Sequence, residues 1–117
     1  MFKEAIDKFV DHPIAGDTFA LFNPDGTIWY SHNIILDAFM SLGLFGGIIF
    51  VIIVISALWR SYLMIHVRQY NMWVGVLCVG YIINHQFSFP FYQADILNVL
   101  LAMQLQSFSY LSHIRNK

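Results

Sequence analysis

A histidine with two polar neighbours, Ser31-His32-Asn33, stands directly before a long apolar run that begins at Ile34. The ordinary pKa of histidine is about 6.5, so His32 is the natural proton acceptor near neutral pH. Asp37 follows about one helical turn later and could orient the imidazole. Because ionisable groups at a membrane helix are costly, they indicate function. We predict that His32 is catalytic and that Asn33 and Asp37 bind substrate; a merely solvated histidine is the alternative.

A second polar cluster, Asn84 to Pro90, interrupts the apolar sequence further along the chain. We predict that His85 in this cluster binds substrate, and a hydrogen-bonded turn closed by Pro90 is the alternative. Asn33 has a second interpretation as well, because asparagine is a preferred helix N-cap. The histidines lack the spacing of metal ligands, so we predict neither a metal site nor a cofactor.

The composition places this chain in a lipid bilayer. Of its 117 residues, 58% are hydrophobic and only 11% are charged, and the mean hydropathy is +0.62. Soluble domains carry about 25% charged residues, so this chain lacks the polar surface to cover itself in water. A formal net charge of −1 and the absence of a basic stripe give no reason to expect a nucleic-acid partner.

The first third of the chain predicts a small interfacial cap over residues 1–33. In residues 2–11 the apolar and the charged side chains fall on opposite faces of a predicted amphipathic helix, which ends at His12-Pro13. The two segments 18–22 and 27–30 flank Asn23-Pro24-Asp25-Gly26, a sequence that suits a type I turn, so a short hairpin is expected. Four aromatic residues of this hairpin would lie at headgroup level: Phe19, Phe22, Trp29 and Tyr30.

The remaining residues, 34–117, form the expected transmembrane region. Apolar runs predict helices over about 34–59, 72–89 and 94–111. The third carries polar groups on several sides and therefore needs helical partners. The predicted fold is an all-α membrane protein with about three transmembrane helices, preceded by the cap.

The basic residues predict the orientation. Arg60 and Arg68 follow the first membrane helix, Arg115 and Lys117 follow the third, and the stretch before Ile34 has none nearby. The positive-inside rule then places residues 1–33 outside and the C-terminus in the cytoplasm. Two of the predicted site residues, His32 and His85, consequently share the outer side.

Four motifs follow one another along the chain. A Pro-x-x-Gly turn, Pro13 to Gly16, follows the amphipathic helix. The others are His-Asn-x-x-Leu-acid from His32 to Asp37, Gly-Leu-x-Gly from Gly43 to Gly46, and the stretch from His85 to Phe89-Pro90. Their types and order resemble the O-antigen polymerase and ligase family of bacterial envelope polysaccharide biosynthesis.

The resemblance implies a multi-pass glycosyltransferase of the bacterial inner membrane, with residues 1–33 in the periplasm. Such enzymes transfer an undecaprenyl-diphosphate-linked glycan to an acceptor sugar without metal. The histidine matched by His32 assists deprotonation of the acceptor hydroxyl, and arginines on other helices hold the diphosphate. Those arginine-bearing loops have no counterpart here, so we expect a C-terminal portion that is inactive without the missing N-terminal helices or a partner membrane protein.

Two other functions are compatible with the sequence. A small non-enzymatic accessory or assembly protein could dock through Gly43, Gly47 and the third helix, because small residues let helices approach closely. A piece of a transporter could use Asp37 and His85 as a proton relay.

Overall fold

A computed structural model describes residues 2–17, 21–22, 26, 28–29, 31–66, 71–87 and 94–115. Its helices are α1 (Phe2–Asp11), α2 (Ile34–His66), α3 (Met72–His85) and α4 (Asp95–Arg115), and its strands are β1 (Leu21–Phe22) and β2 (Ile28–Trp29). The chain divides into two compact units. Unit 1 comprises Met1–Ile53 and Asn84–Ala94, and unit 2 comprises Val54–Ile83 and Asp95–Lys117.

Helix α1 has the bounds that the sequence predicted, and it packs on the start of α2. Ala5 is fully buried with Met40, and Leu36 packs against both. Alongside, the rings of Phe9 and Phe39 meet edge to face with centroids 5.7 Å apart, a favourable aromatic geometry. The amphipathic helix is therefore confirmed, and its Ala5 side is the side that packs.

The predicted hairpin is confirmed where the structure describes it. Leu21 pairs with Trp29 and Phe22 with Ile28 in antiparallel register. Gly26 has φ 81°, a left-handed conformation that glycine adopts without steric cost. The predicted turn residues 23–25 lie outside the described residues, as do Phe19 and Tyr30, so the interfacial aromatics stay a prediction.

Helix α2 begins at Ile34 as predicted but differs from the expected straight helix over 34–59. It continues to His66, and it kinks at Gly43, where φ is 68° and ψ is −168°. Within the described parts of the chain, α2 is the one helix both long and apolar enough to cross a membrane, judged by its 33 residues and its composition.

The other two predicted membrane helices also have different ends. Helix α3 has 14 residues, about 21 Å of rise. The predicted extension to residue 89 is wrong, because the chain turns after His85 and Phe87 N–H donates to the Asn84 carbonyl at 3.1 Å. Helix α4 starts at Asp95 and reaches Arg115, four residues beyond the predicted end.

The prediction that the third helix needs helical partners is confirmed within unit 2. Gln104 is fully buried on α4, and its Nε2 donates to the Ala57 carbonyl at 3.3 Å and to Ser61 Oγ. Both acceptors belong to α2. On α3, a Cβ at Gly75 would lie 3.2 Å from Ser61 Cα. Small and polar residues thus join the three helices, as is typical of membrane helix packing.

Candidate functional site

The predicted catalytic histidine lies in a short turn that leads into α2. Ser31 Oγ donates to the Asn33 carbonyl at 3.0 Å and accepts from Asn33 N–H at 3.2 Å. Ser31 N–H donates to Asp37 Oδ1 at 3.2 Å. Since Ser31 is fully buried, its hydrogen bonds fix the chain on both sides of His32.

His32 itself has an unusual backbone conformation. Its φ of 56° makes it the one residue other than glycine with a positive φ in the described part of the chain. Histidine tolerates this left-handed region better than most residues, but the conformation still needs support from its surroundings. The Ser31 hydrogen bonds supply that support, and the His32 side chain is half-buried.

Asn33 and Asp37 each bind the backbone of this turn. Asn33 Oδ1 accepts from Leu36 N–H at 3.0 Å. This is an N-cap hydrogen bond, so the alternative interpretation of Asn33 as a helix N-cap is confirmed. Asp37 is only 1% exposed and uses Oδ1 for Ser31 N–H. The structure gives both residues a structural role, and their contact with substrate stays a prediction. Ser31 was not among the predicted site residues, although Ser-x-Asn before a helix is a recognisable turn signal.

The loop after α1 joins α2 at its kink through backbone hydrogen bonds. In a straight helix Leu44 N–H would donate to the Met40 carbonyl. At the kink Leu44 N–H donates instead to the Pro13 carbonyl at 2.7 Å, and the Met40 carbonyl accepts from Asp17 N–H at 2.9 Å. The loop therefore satisfies both groups that the kink releases, and we call this contact the joint.

Two glycines make the joint possible. Gly16 and Gly43 both have a positive φ, 75° and 68°. A Cβ on Gly43 would overlap the Ile14 carbonyl, and one on Gly16 would overlap the Ser41 carbonyl. Gly43 had been expected to admit a neighbouring helix, but the chain's own loop covers it. A Cβ on Gly47 would likewise meet the Phe39 ring, so these glycines do not offer a free docking face to a partner.

An exposed ion pair holds the same loop to α1. Lys8 Nζ lies 2.9 Å from Asp17 Oδ2. The hydrogen bond from Lys8 lowers the pKa of the Asp17 carboxyl below its ordinary value, and the same bond raises the pKa of Lys8 above its ordinary value. The pair therefore stabilises the loop from above the ordinary pKa of aspartate, about 3.9, to below that of lysine, about 10.4.

We expect the contribution of this pair to disappear at both ends of the pH range. It is lost as pH falls through the lowered pKa of Asp17 and as pH rises through the raised pKa of Lys8. Thermal unfolding of the wild type and of Lys8→Met, followed from low to high pH, measures this difference in stability. The difference should also shrink in high salt, since exposed charges are screened. A difference that is independent of pH would show that Lys8 acts through its aliphatic stem.

His85, the fourth predicted site residue, belongs to the same unit as the other three. It is the last residue of α3 and is 3% exposed. The alternative interpretation, a hydrogen-bonded turn, is partly confirmed by the Phe87–Asn84 bond that follows. Residues 88–90 of the cluster lie outside the described residues. Substrate binding by His85 stays a prediction.

A cleft of about 310 Å³ lies in unit 2, and none of the predicted site residues lines it. Asn71 Nδ2 donates to Ser107 Oγ at 3.2 Å at its edge. The side chains that line it are amide, hydroxyl, aromatic and aliphatic, so they offer polar contacts but no acid or base: Asn71, Trp73, Val74, Met103, Gln106 and Ser107. Over the described ranges, no three residues of the metal-binding types come together.

A comparison with protein-family models, curated proteins and solved structures finds no match to this chain.

Proposed function

We propose that this chain is part of an integral-membrane glycosyltransferase of the O-antigen polymerase or ligase type, in which His32 is the general base. The observation that carries the proposal is the conformation of His32, a left-handed residue fixed by hydrogen bonds on both sides. A general base must be held in position before it is useful, and supported backbone strain clusters at functional sites.

The joint supports the proposal independently of His32. The Pro-x-x-Gly motif and the Gly-Leu-x-Gly motif are separated in sequence, yet Pro13 bonds to Leu44 and Gly16 contacts Gly43. Both motifs of the resemblance therefore have one shared structural reason. That reason is the packing of the loop after α1 on α2 at Gly43.

The proposed chemistry is glycosyl transfer from a lipid diphosphate. His32 accepts the proton of an acceptor hydroxyl as that oxygen attacks the anomeric carbon of the donor. The bond between this carbon and the diphosphate oxygen breaks, and undecaprenyl diphosphate leaves with the electron pair. The departing diphosphate needs cationic stabilisation. We propose that further membrane helices, of the same protein or of a partner, supply it, as arginines on other helices do in the family that the sequence resembles.

We further propose that α2, α3 and α4 cross the bacterial inner membrane with residues 1–33 in the periplasm and the C-terminus in the cytoplasm. Support comes from the length and composition of α2 and from the position of the basic residues. Helix α3 is short for a hydrocarbon core of about 30 Å, so its end would lie at membrane depth. A polar side chain there must be buried, and His85 is buried.

The test replaces His32 by asparagine at the chromosomal locus, so that any accompanying helices stay in place. Asparagine tolerates the left-handed conformation but has no basic nitrogen. We expect polymerised or ligated glycan, resolved on a gel, to fall by about 100-fold or more. His32→Ala should have the same effect.

His12→Asn is the matched control, because His12 is an exposed histidine of the same cap. It should leave the glycan unchanged. Glycan of normal amount and length in the His32→Asn strain, with the protein present in the membrane, would contradict the catalytic role.

A further inference from the structure

The exposure of α2 changes abruptly at its kink. Before Gly43 the helix is largely buried within the cap, and its fully or nearly buried residues are Ile34, Asp37, Ala38, Met40 and Ser41. After Gly43 large apolar side chains become exposed at once: Leu44, Phe45, Ile48, Ile49 and Ile52. The part of α2 before Gly43 is thus covered by protein, whereas the part after Gly43 exposes an apolar surface that is unfavourable in water.

A second exposed apolar surface lies on α1 and the loop that follows it. Ile6 and Val10 are four residues apart and share a helix face, and Val10 is 65% exposed. Ile14 is 71% exposed, and its carbonyl lies against Gly43. Through this contact the apolar surface of α1 continues into the exposed surface that starts at Leu44. The side chains of Asp7 and Asp11 lie on a different, charged face of α1.

We infer that the outer boundary of the hydrocarbon layer lies at Gly43–Leu44, and that Ile6, Val10 and Ile14 rest on the phospholipid leaflet beside it. The inference rests on the proposed membrane location. It moves the boundary from Ile34, where the apolar sequence begins, to the joint. The occupant of the α1 surface is lipid because that surface is continuous with the exposed surface of the spanning helix.

The length of α2 supports this boundary. From Leu44 to His66 the helix rises about 34 Å, enough for a hydrocarbon core of about 30 Å. Trp59 and Tyr62 then lie within about 8 Å of the inner limit of the core, a depth from which such aromatics and the long Arg60 side chain can reach the headgroups. A boundary at Ile34 would end the core near Val54. Exposed apolar residues would then extend beyond the core, into the headgroup region and the water after it: Ile55, Leu58 and Ile65.

The boundary has a consequence for the substrate of the proposed reaction. Helix α2 kinks at Gly43, and its part from Ile34 to Leu42 lies before that boundary. His32 precedes this part, so it lies on the outer side of the hydrocarbon layer, where a saccharide hydroxyl can reach the imidazole.

Depth-dependent quenching tests the boundary. In a Cys78→Ser background, single cysteines at Leu44, Ile53, Val10 and Asp7 are labelled with an environment-sensitive fluorophore, and the full chain is reconstituted in vesicles of phosphatidylethanolamine and phosphatidylglycerol. Lipids carry a nitroxide either close to the headgroup or near the end of the acyl chain. The shallow nitroxide should quench Leu44 at least about twofold more than the deep one, and Ile53 should show the reverse order.

Val10 should be quenched by the shallow nitroxide, whereas Asp7, its control on the charged face, should be quenched by aqueous iodide. Stronger quenching of Leu44 by the deep nitroxide would place the boundary at Ile34 and overturn the inference. Equal iodide quenching at Val10 and Asp7 would show that the α1 surface lies in water and would overturn its lipid contact. An absence of lipid quenching at every position, Ile53 included, would overturn the proposed membrane location itself. The catalytic role of His32 is tested separately, by the glycan assay.

Discussion

Gly43→Ala should destabilise the cap by about 4 kcal/mol. The φ of 68° and ψ of −168° at Gly43 lie in a backbone region essentially restricted to glycine, which costs a residue with a Cβ about 1–3 kcal/mol, and the new methyl would overlap the Ile14 carbonyl. The overlap forces the loop away and leaves Leu44 N–H and the Met40 carbonyl without their partners, at about 1–3 kcal/mol for each buried group. Unfolding of the purified protein in detergent, followed by the helical circular dichroism signal, measures the loss.

Gly80→Ala is the matched control, since no atom lies within 4 Å of a Cβ built at this exposed glycine of α3. It should be neutral or stabilise by up to about 1 kcal/mol, because alanine favours a helix. Gly16→Ala should resemble Gly43→Ala, and the double variant should lose little more than either single one, since both break the same joint. Equal stability of Gly43→Ala and Gly80→Ala would show that the joint does not hold the cap.

The sequence predicted the elements whose signals are local. The amphipathic spacing of Ala5 and Phe9 gave α1 its correct bounds, and Asn33 marked the start of α2 because an N-cap acts on the next turn. The kink could not be predicted in this way. Gly43 stands inside an apolar run that favours a straight helix, and its positive φ depends on Pro13 and Gly16, which are distant in sequence.

The end of α3 shows the opposite limit. The expected extension to residue 89 came from the thickness of a bilayer rather than from the residues. The chain turns at Gln86-Phe87 instead, and Phe87 bonds back to Asn84. Spanning length is a property of the whole membrane assembly, so it does not fix the end of one helix whose neighbours can bury its polar terminus.

The polar residues at the start of α2 were predicted as a group, but their division of labour was not. Spacing placed Asn33, Asp37 and Ser41 on one face. It did not indicate that the Asp37 carboxylate would accept a backbone N–H from Ser31, because that bond depends on the turn geometry around His32. The candidate base could thus be identified from residue type and position. The hydrogen bonds that hold His32 could not, because they form only in the folded turn.

Asp37→Ala should reduce both the stability of the cap and the glycan output of the proposed enzyme. It leaves the buried Ser31 N–H without an acceptor, at about 1–3 kcal/mol. With that bond lost, His32 is no longer held in its left-handed conformation. Unfolding in detergent and glycan on a gel measure the two effects.

Asp37→Asn separates geometry from charge, because its amide oxygen can still accept from Ser31 N–H at the position of Oδ1. If Asp37 positions the turn, the asparagine variant should recover most of the stability and glycan that the alanine variant loses. Asp11→Ala, which removes an exposed carboxylate of α1, should change neither. Equal loss of glycan in the asparagine and alanine variants, with the asparagine variant stably folded, would assign the role to the carboxylate charge beside His32 rather than to the backbone hydrogen bond.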